Sequence, residues 1–305
     1  MTNLQTAGEA ISGRPASLLS ILNDYLTLTK PPIVVLLLVT AAGGMFLAAQ
    51  GLPSLLLMGL VWLGGALAAG GANAINHYLD RDIDERMSRT RQRPVAGHRI
   101  SPTKALIFGL VLNIIAFAVL VTWINLLAAL LTLSATLFYV FVYTRWLKRT
   151  TPHNIVIGGA AGAIPPLVGW AAVTGGLDLP AVYLFAIVFF WTPPHFWALS
   201  LLIKDDYAEA GIPMLPVVTT VEHTTQQIFY YTLALVGLTV MFALTPAVGL
   251  VYLVSALVLG AVFIWMAWQL RRNYTRSSAK TVYLYSLLYL ALLFVGVMVD
   301  SIIQL

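Results

Sequence analysis

Residues 76–94 read NHYLDRDIDERMSRTRQRP, and they close an apolar run, rich in Gly and Ala, that is long enough to cross a bilayer. Four acidic residues (Asp80, Asp82, Asp84, Glu85) and five arginines (Arg81, Arg86, Arg89, Arg91, Arg93) fall within fourteen positions. The chain has twelve acidic residues in all, so a third of them stand in this one stretch. Charge is costly at a bilayer boundary, and a helix end crowded with it marks a functional site.

The rest of the composition agrees with a membrane setting. Of 305 residues, 59% are hydrophobic and 10% charged, against roughly 25% charged in soluble domains. The formal charge of +5 is spread over short loops between apolar spans, which favours membrane topology over a nucleic-acid surface. There is no cysteine, so disulfides, thiolate catalysis and Cys-held metals are excluded. The first thirty residues show no short apolar core followed by a cleavage site, so no removable signal peptide is expected.

Apolar runs of spanning length recur at about 32–50, 55–76, 105–122, 125–143, 155–173, 180–203, 228–246, 247–270 and 280–301. The expectation is an all-α polytopic membrane bundle of about nine helices around a central cavity open to the cytoplasmic side. Residues 1–24 form a cytoplasmic tail, with an interfacial segment near Asp24–Lys30, and residues 25–305 a single transmembrane domain. With the N-terminus inside, the cytoplasmic segments hold all seventeen Lys and Arg and the alternate loops none, a strong case of the positive-inside rule. Acidic residues follow the second helix (Asp80–Glu85) and again the sixth (Asp205, Asp206, Glu209), so two acidic sites stand where they can face each other.

Asn76, Asp80 and Asp84 are spaced i, i+4, i+8, which places them on one helical face. An amide and two carboxylates in a row offer hard oxygen ligands for Mg²⁺, which commonly takes one or two carboxylates plus substrate phosphates. The same spacing also suits a solvated helix end whose acids pair with Arg81 and Arg86. Arg89, Arg91 and Arg93 bring guanidinium groups suited to bidentate phosphate recognition, although positive-inside anchoring also explains basic residues. Carboxylates, Mg²⁺ and arginines together point to a diphosphate site.

The N-x-x-x-D-x-x-x-D pattern after an apolar helix, with a later acidic cluster, resembles the intramembrane aromatic prenyltransferases of the UbiA superfamily. The strings DRDIDERMSRTRQRP at 80–94, YTRWLKRTTPHNIVIGGAAGAIPPLVGW at 143–170 and WTPPHFWALSLLIKDDYAEAGIPMLP at 191–216 narrow the resemblance to the family's haem-farnesylating branch. It covers roughly residues 25 to 300. It implies a Mg²⁺-dependent transfer of farnesyl from farnesyl diphosphate to a vinyl group of haem B, with addition of water. It also implies a bacterial inner-membrane location, and a haem A-forming enzyme or haem–copper terminal oxidase as partner.

Carried over by position, Asn76, Asp80 and Asp84 become Mg²⁺–diphosphate ligands, joined by Asp206, and Arg89 and Arg93 clamp phosphate oxygens. Lys148 and Arg149 fall on the next cytoplasmic loop, as candidates for diphosphate or for haem propionates. Lys204, Asp205, Asp206 and Tyr207 match the second cluster. The wider superfamily commonly has DxxxD there, whereas Leu202 stands four residues before Asp206 and cannot bind a metal.

His195, in PPHFWALS, suits haem iron, or a proton held near the vinyl group. The alternative is a buried histidine bonded to a carbonyl freed by Pro193 or Pro194. His98, and His153 with Asn154, are loop candidates of the same kind. Trp191, Phe196 and Trp197 suit an aromatic acceptor wall, although interfacial tryptophan belts are the commoner arrangement. Gly158, Gly159, Gly162 and the Pro165–Pro166 pair permit close helix packing and a kink. Asp300 reads as an interfacial residue.

Two other functions compete. One is prenyl transfer to a phenolic or quinone-precursor acceptor. The other is ion-coupled transport, whose sites usually lie near the midplane, whereas these acids cluster at one face.

Overall fold

The computed structural model describes residues 17–303, so the N-terminal tail expected over 1–24 lies, up to residue 16, outside the described residues. Helix α1 (Leu18–Thr29) and the short α4 (Arg81–Arg86), α7 (Lys148–Thr150), α11 (Lys204–Glu209) and α12 (Leu215–Val218) flank the bilayer-length helices. Those are α2 (Pro31–Ala49), α3 (Leu55–Leu79), α5 (Pro102–Trp123), α10 (Leu179–Leu202), α13 (Val221–Ala243), α14 (Leu250–Arg272) and α15 (Arg276–Ile303). The fourth span joins α6 (Leu126–Leu137) to a π-helical segment, Phe138–Leu147, and α7. The fifth span joins α8 (Asn154–Ala163) to α9 (Pro165–Thr174) across a break at Ile164. Nine spans of membrane-crossing length result among the described residues.

Large apolar side chains such as Leu56, Ile114, Phe141, Val258 and Trp265 are exposed along these spans. So much apolar surface is untenable in water and fits lipid. The protein is a multi-pass membrane protein. Every Lys and Arg among the described residues lies at the end of the bundle where α3 closes.

Local sequence explains the boundaries. Asn125 separates the third and fourth spans: its Oδ1 accepts from Ala128 N at 2.8 Å as an N-cap, and its Nδ2 donates to the Ala171 carbonyl at 2.8 Å. Helix α13 starts at Val221, seven residues before the expected 228, because Glu222, His223, Gln226 and Gln227 continue the helix beyond the apolar run. In α1, Leu18, Leu19, Leu22 and Leu26 are exposed while Asp24 and Leu28 are buried, the surface of an interfacial helix.

Helix α10 is the most buried span and packs against α13, α15 and α8. Trp191 and Trp197 are buried inside the bundle, in a core shared with Phe242, Tyr252, Phe263, Tyr289 and Phe294, so they form no interfacial belt. Helices α2 and α9 cross with backbones touching. A Cβ on Gly169 would lie 1.9 Å from the Ala41 carbonyl oxygen, which only glycine avoids. Gly158 faces Tyr143 and Gly159 faces Thr192 as closely as expected, whereas Gly162 has open space and serves no close contact.

Asp300 departs from its expected interfacial role. It is 2% exposed and accepts from the backbone N–H groups of Gly249, Val251 and Tyr252, capping the N-terminus of α14 from the far end of α15. An apolar cavity of about 600 Å³ lies between α3, α5 and the fourth span, lined by Ile75, Tyr78, Leu110, Phe117, Phe141 and Arg145, among others.

Candidate active site

Asn76, Asp80 and Asp84 come together at the closing end of α3, although not on one continuous helix. The helix breaks at Asp80 (φ −94°, ψ 7°), yet Asp80 N still donates to the Asn76 carbonyl and Asp84 N to the Asp80 carbonyl. The three side chains are 3%, 0% and 2% exposed, so the acids are no solvated helix end. Nor are Arg81 and Arg86 their partners, since the cations come from elsewhere in the chain.

Lys30 Nζ donates to Asn76 Oδ1 at 2.8 Å. An ammonium has only donors, so it turns the amide oxygen toward itself and the amide nitrogen toward Asp80 Oδ2 (2.7 Å) and Thr144 Oγ1 (3.2 Å). Lys148 Nζ donates to Asp80 Oδ2. Arg93 Nη1 reaches both oxygens of Asp84, at 2.8 and 2.9 Å. Asp80 Oδ1 is buried with no hydrogen-bond partner, the Arg149 guanidinium standing 3.7 Å away.

Arg149 is engaged beside the cluster rather than within it. Its guanidinium donates to both Asp82 oxygens and to the Leu79 carbonyl, each at 2.8 Å, closing the end of α3. That pairing holds the Asp82 carboxyl at about 2. Arg89 is exposed, as are Arg91 and His98.

Sequence reasoning missed Lys30 as a site residue. It sits between α1 and α2 with φ 52° and ψ 60°, a left-handed conformation that costs an L-residue roughly 1–2 kcal/mol and that it shares with Gln50 and His98. Such outliers gather at functional sites. Burial, aided by Arg93, lowers its ammonium to about 7. His77 was missed as well: it is 1% exposed, neither ring nitrogen has a hydrogen-bond partner, and Lys30 and Arg93 are the charges that act on it. The π-helical segment was a third omission. It supplies Thr144 to Asn76 and runs into Lys148 and Arg149, and π-type turns are frequent at functional sites.

The second cluster touches the first. Ser88 Oγ donates to Asp206 Oδ1 at 2.7 Å, and Tyr207 packs with Ile83, Met87, Ile155 and Met214. Burial pushes the Tyr207 hydroxyl above its usual value, with Arg89, Arg93, Asp80 and Asp206 acting on it from around the site. Asp205 is exposed and Lys204 half-buried.

Among the described residues no three acidic, His or Cys side chains converge on one metal position. Asp206 stands on the separate short helix α11, where it accepts from Ser88. The donors still suit Mg²⁺. They are oxygens, Asp80 Oδ1 is buried and unbonded, and one or two carboxylates completed by substrate phosphates is this ion's usual arrangement.

His195 lies deeper, between Trp191 (ring centroids 4.3 Å) and Tyr283 (4.9 Å). Ser286 Oγ gives its hydrogen to the Tyr283 carbonyl at 2.6 Å, so it accepts from His195 Nδ1 at 2.7 Å, leaving the Nε2 lone pair uninvolved in that bond. The partner is thus a hydroxyl on α15, not a carbonyl freed by Pro193 or Pro194. His153 is exposed, while Asn154 is buried and donates to the Thr151 carbonyl at 2.6 Å.

Nine spans among the described residues, closed at one end by buried carboxylates and cations, define a membrane helical bundle with its polar groups gathered at one end. The family's sequence profile matches residues 36–294, and the chain belongs to the UbiA prenyltransferase family. Two relatives named protoheme IX farnesyltransferase, from Roseiflexus species, are each 50% identical over 96% and 95% of this chain, which spans 54% of their length. Another of that name, from a Picosynechococcus species, is 49% identical over 96% of this chain and 93% of its own. The fold matches a structure described as digeranylgeranylglyceryl phosphate synthase in membranes (TM-score 0.76, 19% identity, 93% of this chain and 99% of that one). It also matches a UbiA homologue from Archaeoglobus fulgidus bound to DMAPP and Mg²⁺ (TM-score 0.64, 18% identity, 90% and 99%).

Proposed function

We propose that the protein transfers the farnesyl group of farnesyl diphosphate to a vinyl group of haem B, with addition of water, giving haem O and diphosphate. The observation that carries the acceptor is the likeness of about half of all residues, over nearly the whole chain, to proteins named for that reaction. The buried cluster of Asn76, Asp80 and Asp84 with Lys30, Lys148 and Arg93 supports the diphosphate half.

In this reading Asp80 and Asp84, with Asn76, would hold Mg²⁺, which would offset negative charge on the diphosphate. Relatives of the same fold that hold Mg²⁺ with a prenyl diphosphate support that choice. Lys30, Lys148, Arg93 and, from the exposed rim, Arg89 donate to phosphate oxygens, the electrostatic term that usually dominates such catalysis. The C1–O bond of the substrate breaks with its electron pair leaving on diphosphate. The vinyl π pair bonds to C1, and water adds to the resulting cation and gives up a proton. Tyr207 and Asp206 close the site over this step, and His195 Nε2 faces the haem. The basic end of the bundle lies in the cytoplasm and the protein resides in the bacterial inner membrane. Its product serves a haem A-forming enzyme or a haem–copper oxidase.

Membranes from cells expressing the protein should contain haem O, separable from haem B by chromatography and identified by its mass. Consumption of farnesyl diphosphate only when a phenolic acceptor is supplied would replace haem by that acceptor.

A pH dependence follows from Lys30. Its ammonium is charged below about 7 and neutral above, and diphosphate binding favours the charged form. Affinity for inorganic diphosphate with Mg²⁺ should therefore fall as pH rises from 7 to 9, by up to roughly tenfold per unit. Lys30→Arg stays charged throughout and should flatten that part of the profile in titration calorimetry; two superimposable profiles would remove Lys30 from the site.

A further inference from the structure

Each side chain offered here as a metal ligand is held by its own cation. Lys30 Nζ sits on Asn76 Oδ1 at 2.8 Å, Lys148 Nζ on Asp80 Oδ2, and Arg93 Nη1 on both oxygens of Asp84 at 2.8 and 2.9 Å. Each ligand has one hydrogen-bonded cation, with Arg149 as a second one 3.7 Å from Asp80 Oδ1, and the three hydrogen-bonded cations come from three separate places: the joint between α1 and α2, the end of the fourth span, and the turn after α4. Only Asp80 Oδ1 is left without a hydrogen bond.

We propose that Lys30, Lys148 and Arg93 are exchangeable cations that close these ligands to a free divalent cation, so that metal and diphosphate enter the site only together. This rests on the diphosphate site proposed above. A bare Mg²⁺ that took Asn76, Asp80 and Asp84 would displace two ammonium groups and a guanidinium, and would leave them unpaired in a buried place. An ion separated from its partner in a buried site is strongly unfavourable. It would also add two positive charges where two buried carboxylates already face Lys30, Lys148, Arg93 and Arg149. A diphosphate arriving with the metal changes both terms. Its oxygens accept from the displaced lysines and arginine, so every displaced cation has an anionic partner, and its negative charge offsets that of the ion. The cations thus move from carboxylate to phosphate as the ligands turn to the metal. Diphosphate without metal is disfavoured by the mirror argument, since the carboxylates would then lose their counter-ions beside a second anion.

The test is titration calorimetry on the full chain in lipid nanodiscs, with Mg²⁺ alone, inorganic diphosphate alone, and both. In the wild type each alone should bind at least roughly tenfold more weakly than in the presence of the other, the usual size of a coupling between two sites. Lys148→Met removes the cation hydrogen-bonded to Asp80, so the variant should bind Mg²⁺ alone about tenfold more tightly than the wild type, while its affinity for diphosphate falls. Arg93→Met, which frees Asp84, should change in the same direction and serves if the first variant does not fold. Mg²⁺ affinity that is unchanged or weaker in the folded variants, with Mg²⁺ and diphosphate still binding the wild type together, overturns the exchange and leaves the diphosphate site standing. A wild type that binds no Mg²⁺–diphosphate overturns both.

Discussion

Replacing Asp84 by alanine is expected to lower haem O formation at least ~10²–10³-fold, the range for loss of one electrostatic contact to a developing anion. Asp84 is 2% exposed, and both its oxygens meet Arg93 Nη1. The loss therefore removes a hard oxygen donor and also frees an arginine that it positioned. Some stability goes with it, because breaking a buried pair leaves an uncompensated charge, at a cost of about 3–5 kcal/mol. Asp84→Asn separates the two effects. The amide keeps the shape and one acceptor for Arg93 but not the charge, so activity should fall as far while thermal unfolding shifts much less. Haem extracted from membranes and resolved by chromatography, alongside unfolding of the purified protein, reads both. Near-normal haem O from a folded Asp84→Asn protein would take Asp84 out of the metal site.

The largest effect on stability is expected far from that site, at Asp300. Its carboxylate accepts from Gly249 N, from Val251 N at 3.0 Å and from Tyr252 N at 3.2 Å. These are N–H groups that the first turn of α14 cannot satisfy internally, and Gly249 has no side chain to cap them. Hydrogen bonds to a charged acceptor contribute roughly 1.5–3 kcal/mol each and do not add fully. Asp300→Ala should therefore destabilise the bundle by about 3–5 kcal/mol, with Asp300→Asn between it and the wild type. Denaturant unfolding in detergent, followed by the tryptophan signal, measures it. A loss below about 1 kcal/mol would mean that the α14 terminus does not depend on this carboxylate.

The contrast between these two aspartates shows what the sequence made legible. Nine spans among the described residues could be read because the hydrocarbon layer demands long apolar runs, and the structure moves their ends where a helix outlasts the lipid, as at Glu222–Gln227, or where a turn takes residues from the run, as at 244–249. Asn76, Asp80 and Asp84 could be read because they are neighbours at helical spacing. Lys30 could not: it stands 46 residues from Asn76, and a lysine before an apolar helix looks like any positive-inside anchor. Asp300 misled for the same reason, since its partners come from a different helix. Leu202, the departure from the superfamily's second motif, is half-buried, and its carbonyl accepts from Arg276 at 3.2 Å. The π-helical segment has the same apolar content as an α-helix, so nothing in Phe138–Leu147 announces the change of winding.

That winding sets a limit on chain length. Ten residues wound with i→i+5 bonds hold more chain in the same rise than an α-helix does. If one residue were deleted there, everything downstream would rotate by about 100° about the span. Lys148 would then swing away from Asp80, and Arg149 from Asp82, with every chemical group still present. The fourth span thus tolerates substitution on its lipid side far better than any change in its number of residues.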